Sequence, residues 1–203
     1  MSMKKTSFVV ADLDPVDSYK LATGLIVPRP IGWIGTVDEE GVSNLAPFSF
    51  FNVVAGHPPT VVFAPASVGR KDTLDNVKAT GEFTVNVVTI EVVEAMNASA
   101  ATVAAEVDEF ELSGVTAVAS DCIAAPMVAE SKANFECVVT HLLPIGQGRL
   151  GGHLVVGEAV MVHVADQLLD GTRVDQAELK AVGRHVGNWY SSATNLFEIE
   201  RPD

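Results

Sequence analysis

Basic side chains are scarce in this chain: 13 lysines and arginines stand against 26 aspartates and glutamates, a formal net charge of −13. So few cations, with no basic cluster longer than Arg70-Lys71, argue against a nucleic-acid groove, which needs many phosphate contacts. Cysteine is as sparse. Cys122 and Cys137 form no C-x-x-C, and the expectation is two reduced, packed thiols rather than a redox or zinc motif. No window approaches the roughly 20 apolar residues of a membrane helix. The start, MSMKKTSFVVADLD, turns acidic too soon for a secretion signal. A cytoplasmic chain without membrane or nucleic-acid partners is expected. The five histidines fall in no compact ligand set, so no metal is expected. G-x-S-x-G, a Walker A loop and a strand-borne G-x-G-x-x-G are all missing, which removes the hydrolase, nucleotide-hydrolase and Rossmann readings.

What is present is a 203-residue chain with 48% hydrophobic residues, enough for one large domain over 1–203. Residues 6–14 read as a short strand or an extended lead-in, and Asp17 to Leu25 as a short helix. Val27-Pro28-Arg29-Pro30 then holds the backbone extended. IGWIGTV fits a strand, and Asp38-Glu39-Glu40-Gly41 a hairpin turn with Gly41 at positive φ. Strand character resumes at Val42 and carries through Phe48–Val54, with Pro47 arguing for a bulge, edge or break. Thr60–Phe63 reads as a short strand buried on both sides. Asp72 is placed to cap a helix that Thr80-Gly81 closes. FTVNVV is β-rich. Ile90 to about Ala105 is the longest helix candidate, with Thr89 as its cap. Val115–Ala119 is a short strand within a loop region. Phe135–Leu143 and His153–Val164 form a long antiparallel hairpin across the loop from Pro144 to His153. Asp175–Val182 is a short helix. Strands outnumber helices and few helices have crossover length, so a mainly β chain is predicted: an antiparallel barrel with a few flanking helices.

Two patches between Asn44 and Gly81 carry the chemistry. In the first, Ser49, Phe50, Phe51 and Asn52 set hydrogen-bonding groups beside aromatic ones without a charge, which suits a flat, partly polar ring; a plain core strand accounts for the same residues. In the second, Arg70 and Lys71 precede a helix start, with Ser67 and Thr73 adding hydroxyls. Cations, hydroxyls and free N–H groups at a helix start suit a phosphate, although a solvated charge run is the commoner meaning of such spacing. The tail offers Arg184, His185, Trp189 and Tyr190 for an anion or for covering a ring. No general base and no catalytic residue stands out.

Taken together, RPIGWIGTVDEEGVSNLAPFSFFN, PPTVVFAP, RKDTLDNVKATGEFTVNV and the tail GRHVGNWY resemble the flavin reductase-like family of the FMN-binding split-barrel fold, over about residues 20–190. The resemblance implies an antiparallel split β-barrel of Greek-key type and a homodimer that binds FMN non-covalently near the subunit interface. It implies an NAD(P)H-dependent flavin reductase passing hydride from NADH or NADPH to the isoalloxazine. It also leaves room for an electron-transfer flavoprotein serving a redox protein partner, or for a non-catalytic FMN-binding protein. By the same likeness Ser67, Arg70, Lys71 and Thr73 match the phosphate end, and Ser49, Phe50, Phe51 and Asn52 the ring and ribityl parts. Thr36 matches a flavin-facing threonine, and Arg184 and Tyr190 match tail residues near the cofactor or substrate. His185-Val186-Gly187 departs from the family's usual glycine pair. In such a protein the flavin carries the redox chemistry, so no triad is needed.

Overall fold

Local chemistry sets the first elements in the computed structural model, which describes residues 3–65, 72–104 and 107–202. Asp14 accepts from the Val16 N–H at 2.8 Å and starts helix α1 (Pro15–Leu25), with proline in its first turn. The chain leaves it through the short strand β1 (Arg29–Pro30) and enters β2 (Gly32–Val37). At the following turn Asp38 accepts from the N–H groups of Glu40 and Val42 at 3.0 and 2.7 Å, and Gly41 takes φ +88°. Strands β3 (Ser43–Phe48), β4 (Phe51–Gly56) and β5 (Pro59–Phe63) follow, then α2 (Asp72–Thr80) and β6 (Glu82–Val87). Helices α3 (Val93–Ala98) and α4 (Glu109–Ser113) and strands β7 (Ala117–Val118) and β8 (Met127–Val128) lead to the long strands β9 (Ala133–Ile145) and β10 (Gly152–Val164). The chain ends through β11 (Leu169–Asp170), β12 (Arg173–Val174), α5 (Gln176–Leu179), β13 (Val182–Arg184) and β14 (Tyr190–Ser192).

Seven strands pair antiparallel in the order β3-β2-β6-β9-β10-β5-β4. The outermost strands, β3 and β4, are consecutive in the chain and joined only by Ser49-Phe50. Two residues span at most about 7 Å, so the sheet must curl until its edges meet. The result is a barrel split between β3 and β4. Register shifts at Val156/Gly157 and Ala159/Met161 of β10, and at Val53/Ala55 of β4, supply the bending. The curled sheet brings β2 and β4 so close that a Cβ on Gly32 would lie 2.5 Å from the Phe51 ring.

β2 is buried along its whole length and divides two cores. Ile34 belongs with Val61, Phe63, Phe83 and Val155, and Leu74 and Val77 bring α2 onto that side. Trp33 points the other way, towards Leu45, Met96 and Phe110 under α3 and α4, and donates to the Ser99 hydroxyl at 2.8 Å. A smaller sheet in the order β1-β13-β14 lies outside the barrel.

Several sequence expectations are corrected. The helix expected from Ile90 to Ala105 spans only Val93–Ala98. Its end coincides with Ser99, whose hydroxyl donates to the Met96 carbonyl at 2.8 Å and so competes with helix continuation. Thr89 is not its cap; it is buried and bridges to Ala181. The strand read through Val42–Val54 breaks at Ser49-Phe50, where the barrel splits. Thr60–Phe63 is not buried on both sides, since only Val61 and Phe63 are fully enclosed. Of the two readings of residues 6–14, the strand falls and the extended lead-in stands, with a single 3-10 turn at Val10–Asp12. The helix Glu109–Ser113 was not expected, although its start and stop are legible: Asp108 accepts from the Phe110 N–H at 2.8 Å and Gly114 closes it at φ +70°.

Candidate functional site

The small sheet builds one wall of a cleft. Arg29 on β1 lies opposite Arg184 on β13, and Arg184 lies opposite Tyr190 on β14. Paired residues of an antiparallel sheet project to the same side, so Arg29, Arg184 and Tyr190 form one row. The Arg184 guanidinium stacks on the Tyr190 ring at 4.5 Å and donates to the Gly187 carbonyl. The Tyr190 hydroxyl donates to Asn97 at 3.1 Å, fastening the tail to α3.

Arg29 holds the entrance together. It is buried, and its Nη1 donates to the carbonyls of Thr23 (2.6 Å) and Ile26 (2.9 Å) at the end of α1. Nη2 donates to the His185 carbonyl at 3.1 Å, and Nε to the Ser49 hydroxyl at 3.3 Å. One side chain thus joins α1, the tail and the split of the barrel. Burial pulls its pKa below the ordinary value; Tyr19 opposes that depression and Arg184 adds to it. The His185 ring is bonded to the Ser191 hydroxyl at 2.9 Å.

The cleft these groups enclose has a volume of about 650 Å³, within the range of small-molecule sites. Ile31, Pro47 and Met96 supply apolar walls, and Ser49, Arg184 and Tyr190 supply polar ones. No aspartate or glutamate is among the described residues that line it, in a chain with twice as many acids as cations.

Of the residues singled out in the sequence, Ser49, Arg184, His185 and Tyr190 meet in this cleft. Phe50 is half exposed with its ring 6.4 Å from that of Tyr19. Phe51 opens β4 and packs against the barrel core. Asn52 is exposed and accepts from the Val53 N–H at 2.8 Å. Thr36 and Thr73 are buried away from the cleft in a network centred on Asn44. The Asn44 amide donates to both hydroxyls, at 3.1 and 2.9 Å, and the Asn76 amide donates to Thr36 at 3.1 Å. This network ties the first turn of α2 to β2 and β3. Ser67, Arg70 and Lys71 lie outside the described residues. Sequence reading missed Arg29, taken there only as part of a proline-stiffened segment; an arginine between two prolines was the available signal.

A planar, partly polar ring fits the apolar walls and polar row of the cleft. Cys137 is excluded as a reactive thiol, because burial pushes its pKa up to about 12.

The comparisons agree with the fold. Residues 24–178 match the family model described as "Flavin reductase like domain". An uncharacterized protein of Aquifex aeolicus is 40% identical over 92% of this chain and 95% of its own. The crystal structure of nitrilotriacetate monooxygenase component B from Bacillus cereus superposes with a TM-score of 0.94 at 34% identity, covering 98% of this chain and 100% of that one. That of the 2-nitrobenzoate 2-nitroreductase NbaA of Pseudomonas fluorescens gives 0.89 at 28% identity over 97% and 96%. The chain belongs to the flavin reductase-like family and is a flavoprotein of the oxidoreductase class with the split-barrel fold.

Proposed function

We propose that this protein is an NAD(P)H-dependent flavin reductase that uses FMN. The observation that carries the reading is the convergence of Ser49, at the barrel split, with Arg184 and Tyr190, more than 130 residues later, on one cleft of ring-binding character. FMN, when bound, supplies the electron and hydride chemistry. The chain's own residues do the rest. Ile31, Pro47 and Met96 exclude water from a ring face. Ser49 is oriented by its bond from Arg29, leaving its hydroxyl proton for a polar ring edge. Arg184 and Tyr190, stacked together, present a rigid wall. Ser67, Arg70 and Lys71, ahead of α2, take the phosphate, and the Asn44 network holds the helix start through Thr73 and Thr36. Phe50, Phe51 and Asn52, which follow Ser49 at the split, are assigned to the ring and ribityl parts by the family likeness.

No side chain is assigned as a general base. The nicotinamide donor occupies the open side of the cleft. The relative from Bacillus cereus is named as a component of a monooxygenase, which supports delivery of reducing equivalents to a separate redox partner; the acidic charge favours a basic one. The protein acts as a homodimer in the cytoplasm. Exposed apolar side chains at Val53, Val54, Phe197 and Ile199 support self-association, and two unbridged cysteines support a reducing compartment.

The test is NADH and NADPH oxidation at saturating FMN, with light scattering for the dimer. Rapid turnover with either nucleotide upholds the reductase reading. An FMN-loaded protein that neither nucleotide reduces returns it to an electron carrier or a flavin-binding protein.

A further inference from the structure

The geometry points to an anion subsite in the cleft, formed by Arg29 and Arg184, for a small molecule bearing a carboxylate on a planar apolar body. This inference rests on the flavin reductase reading and names a substrate class for the same site.

Three observations carry it. First, Arg29 and Arg184 are direct cross-strand partners in an antiparallel pair, where like charges oppose one another unfavourably. Second, neither has a carboxylate within ion-pair distance among the described residues; Arg29 is held by three carbonyls and a hydroxyl, Arg184 by one carbonyl and an aromatic face. A buried cation is ordinarily paired, and acids are plentiful in this chain, yet none lines the cleft. Third, the pair is held in place before any ligand arrives. Four bonds use four of the five N–H donors of Arg29, leaving one on Nη2 beside its bond to His185. Arg184 is oriented by Tyr190 and Gly187.

An anion between the two guanidinium groups removes their repulsion and satisfies the remaining donors. A planar two-oxygen carboxylate suits the guanidinium fork, and the apolar walls beside it suit a flat body better than a bare phosphate. Ile31 and Met96 provide the apolar surface for the body that carries it.

Benzoate and its neutral analogue benzamide are the probes, titrated into the FMN-loaded protein by calorimetry. Benzoate is expected to bind at least tenfold more tightly than benzamide. Arg184→Gln, a change at a partly exposed position, is expected to bring the two within twofold. Equal binding of the two probes, no binding of either, or an unchanged benzoate preference in Arg184→Gln overturns the subsite. So does stronger displacement of benzoate by inorganic phosphate than by acetate, or an Arg184→Gln protein that loses FMN affinity tenfold while riboflavin affinity holds, since either assigns the pair to a phosphate. If the protein takes up no FMN, the same titration is made on it as purified. A benzoate preference there upholds the anion site while the flavin reading falls.

Discussion

Arg29 donates from Nε to the Ser49 hydroxyl at 3.3 Å, linking the strand that leaves α1 to the two-residue joint between the edges of the barrel. Through the same guanidinium α1 and the tail are held to that joint. Replacing Arg29 with methionine leaves buried carbonyls unpaired. The expected cost is about 2–4 kcal/mol, read from urea denaturation. Arg29→Lys should recover less than half of it, because an ammonium on a flexible stem does not reproduce the guanidinium fork.

The Asn44 network makes a separate prediction. Asn44→Ala removes the donor to both Thr36 and Thr73 and is expected to destabilise the chain by about 1–3 kcal/mol. If the first turn of α2 orients the phosphate end, FMN affinity should fall more than riboflavin affinity. Parallel titrations followed by flavin fluorescence decide it; equal losses separate the network from the phosphate.

Gly32 on β2 faces Phe51 on β4. An added methyl lies 2.5 Å from the ring, so Gly32→Ala should cost about 1–3 kcal/mol through overpacking. Combining it with Phe51→Leu should cost less than the sum of the single changes, a coupling that a double-mutant cycle by thermal unfolding measures. Additive effects would place β2 and β4 further apart.

Glu136 contributes to acid stability: it has no exposed surface and accepts from His163 (2.7 Å) and from the N–H groups of Asp121 (2.9 Å) and Cys122 (2.7 Å). Burial alone raises its pKa, but the bond from His163 and those backbone donors outweigh burial, so the folded value lies below the ordinary 4.5. A depressed carboxyl contributes stability that is present above its unfolded value and is lost as pH falls through the folded one. Glu136→Gln should therefore be less stable at pH 7, by about 2–3 kcal/mol, and should show a flatter decline below about pH 4.5. Chemical denaturation across pH 3–7 shows whether the curves converge as predicted.

The long hairpin of β9 and β10 was legible because period-2 apolar runs flank a glycine-rich loop. The Asp38–Gly41 turn was legible because its residues have few other uses. The helix expected through Ala105 failed because small residues permit a helix without requiring one, and the Ser99 hydroxyl serves Trp33 and Met96 instead. Four of the cleft's residues, Ser49, Arg184, His185 and Tyr190, were named from the sequence. Arg29 was not, since its meaning depends on a register partner 155 positions away at Arg184, which no local pattern encodes. Thr36 was matched to the cofactor by likeness alone and Thr73 also by its place at a helix start, and their side chains join each other through Asn44.

Whether a nicotinamide nucleotide reduces a bound flavin is read from the visible spectrum of the purified protein, recorded anaerobically before and after adding NADH or NADPH. Oxidised-flavin bands, at about one FMN per chain once FMN is supplied, are expected to bleach within seconds of nucleotide addition. A protein that stays colourless after incubation with FMN and gel filtration has no such site.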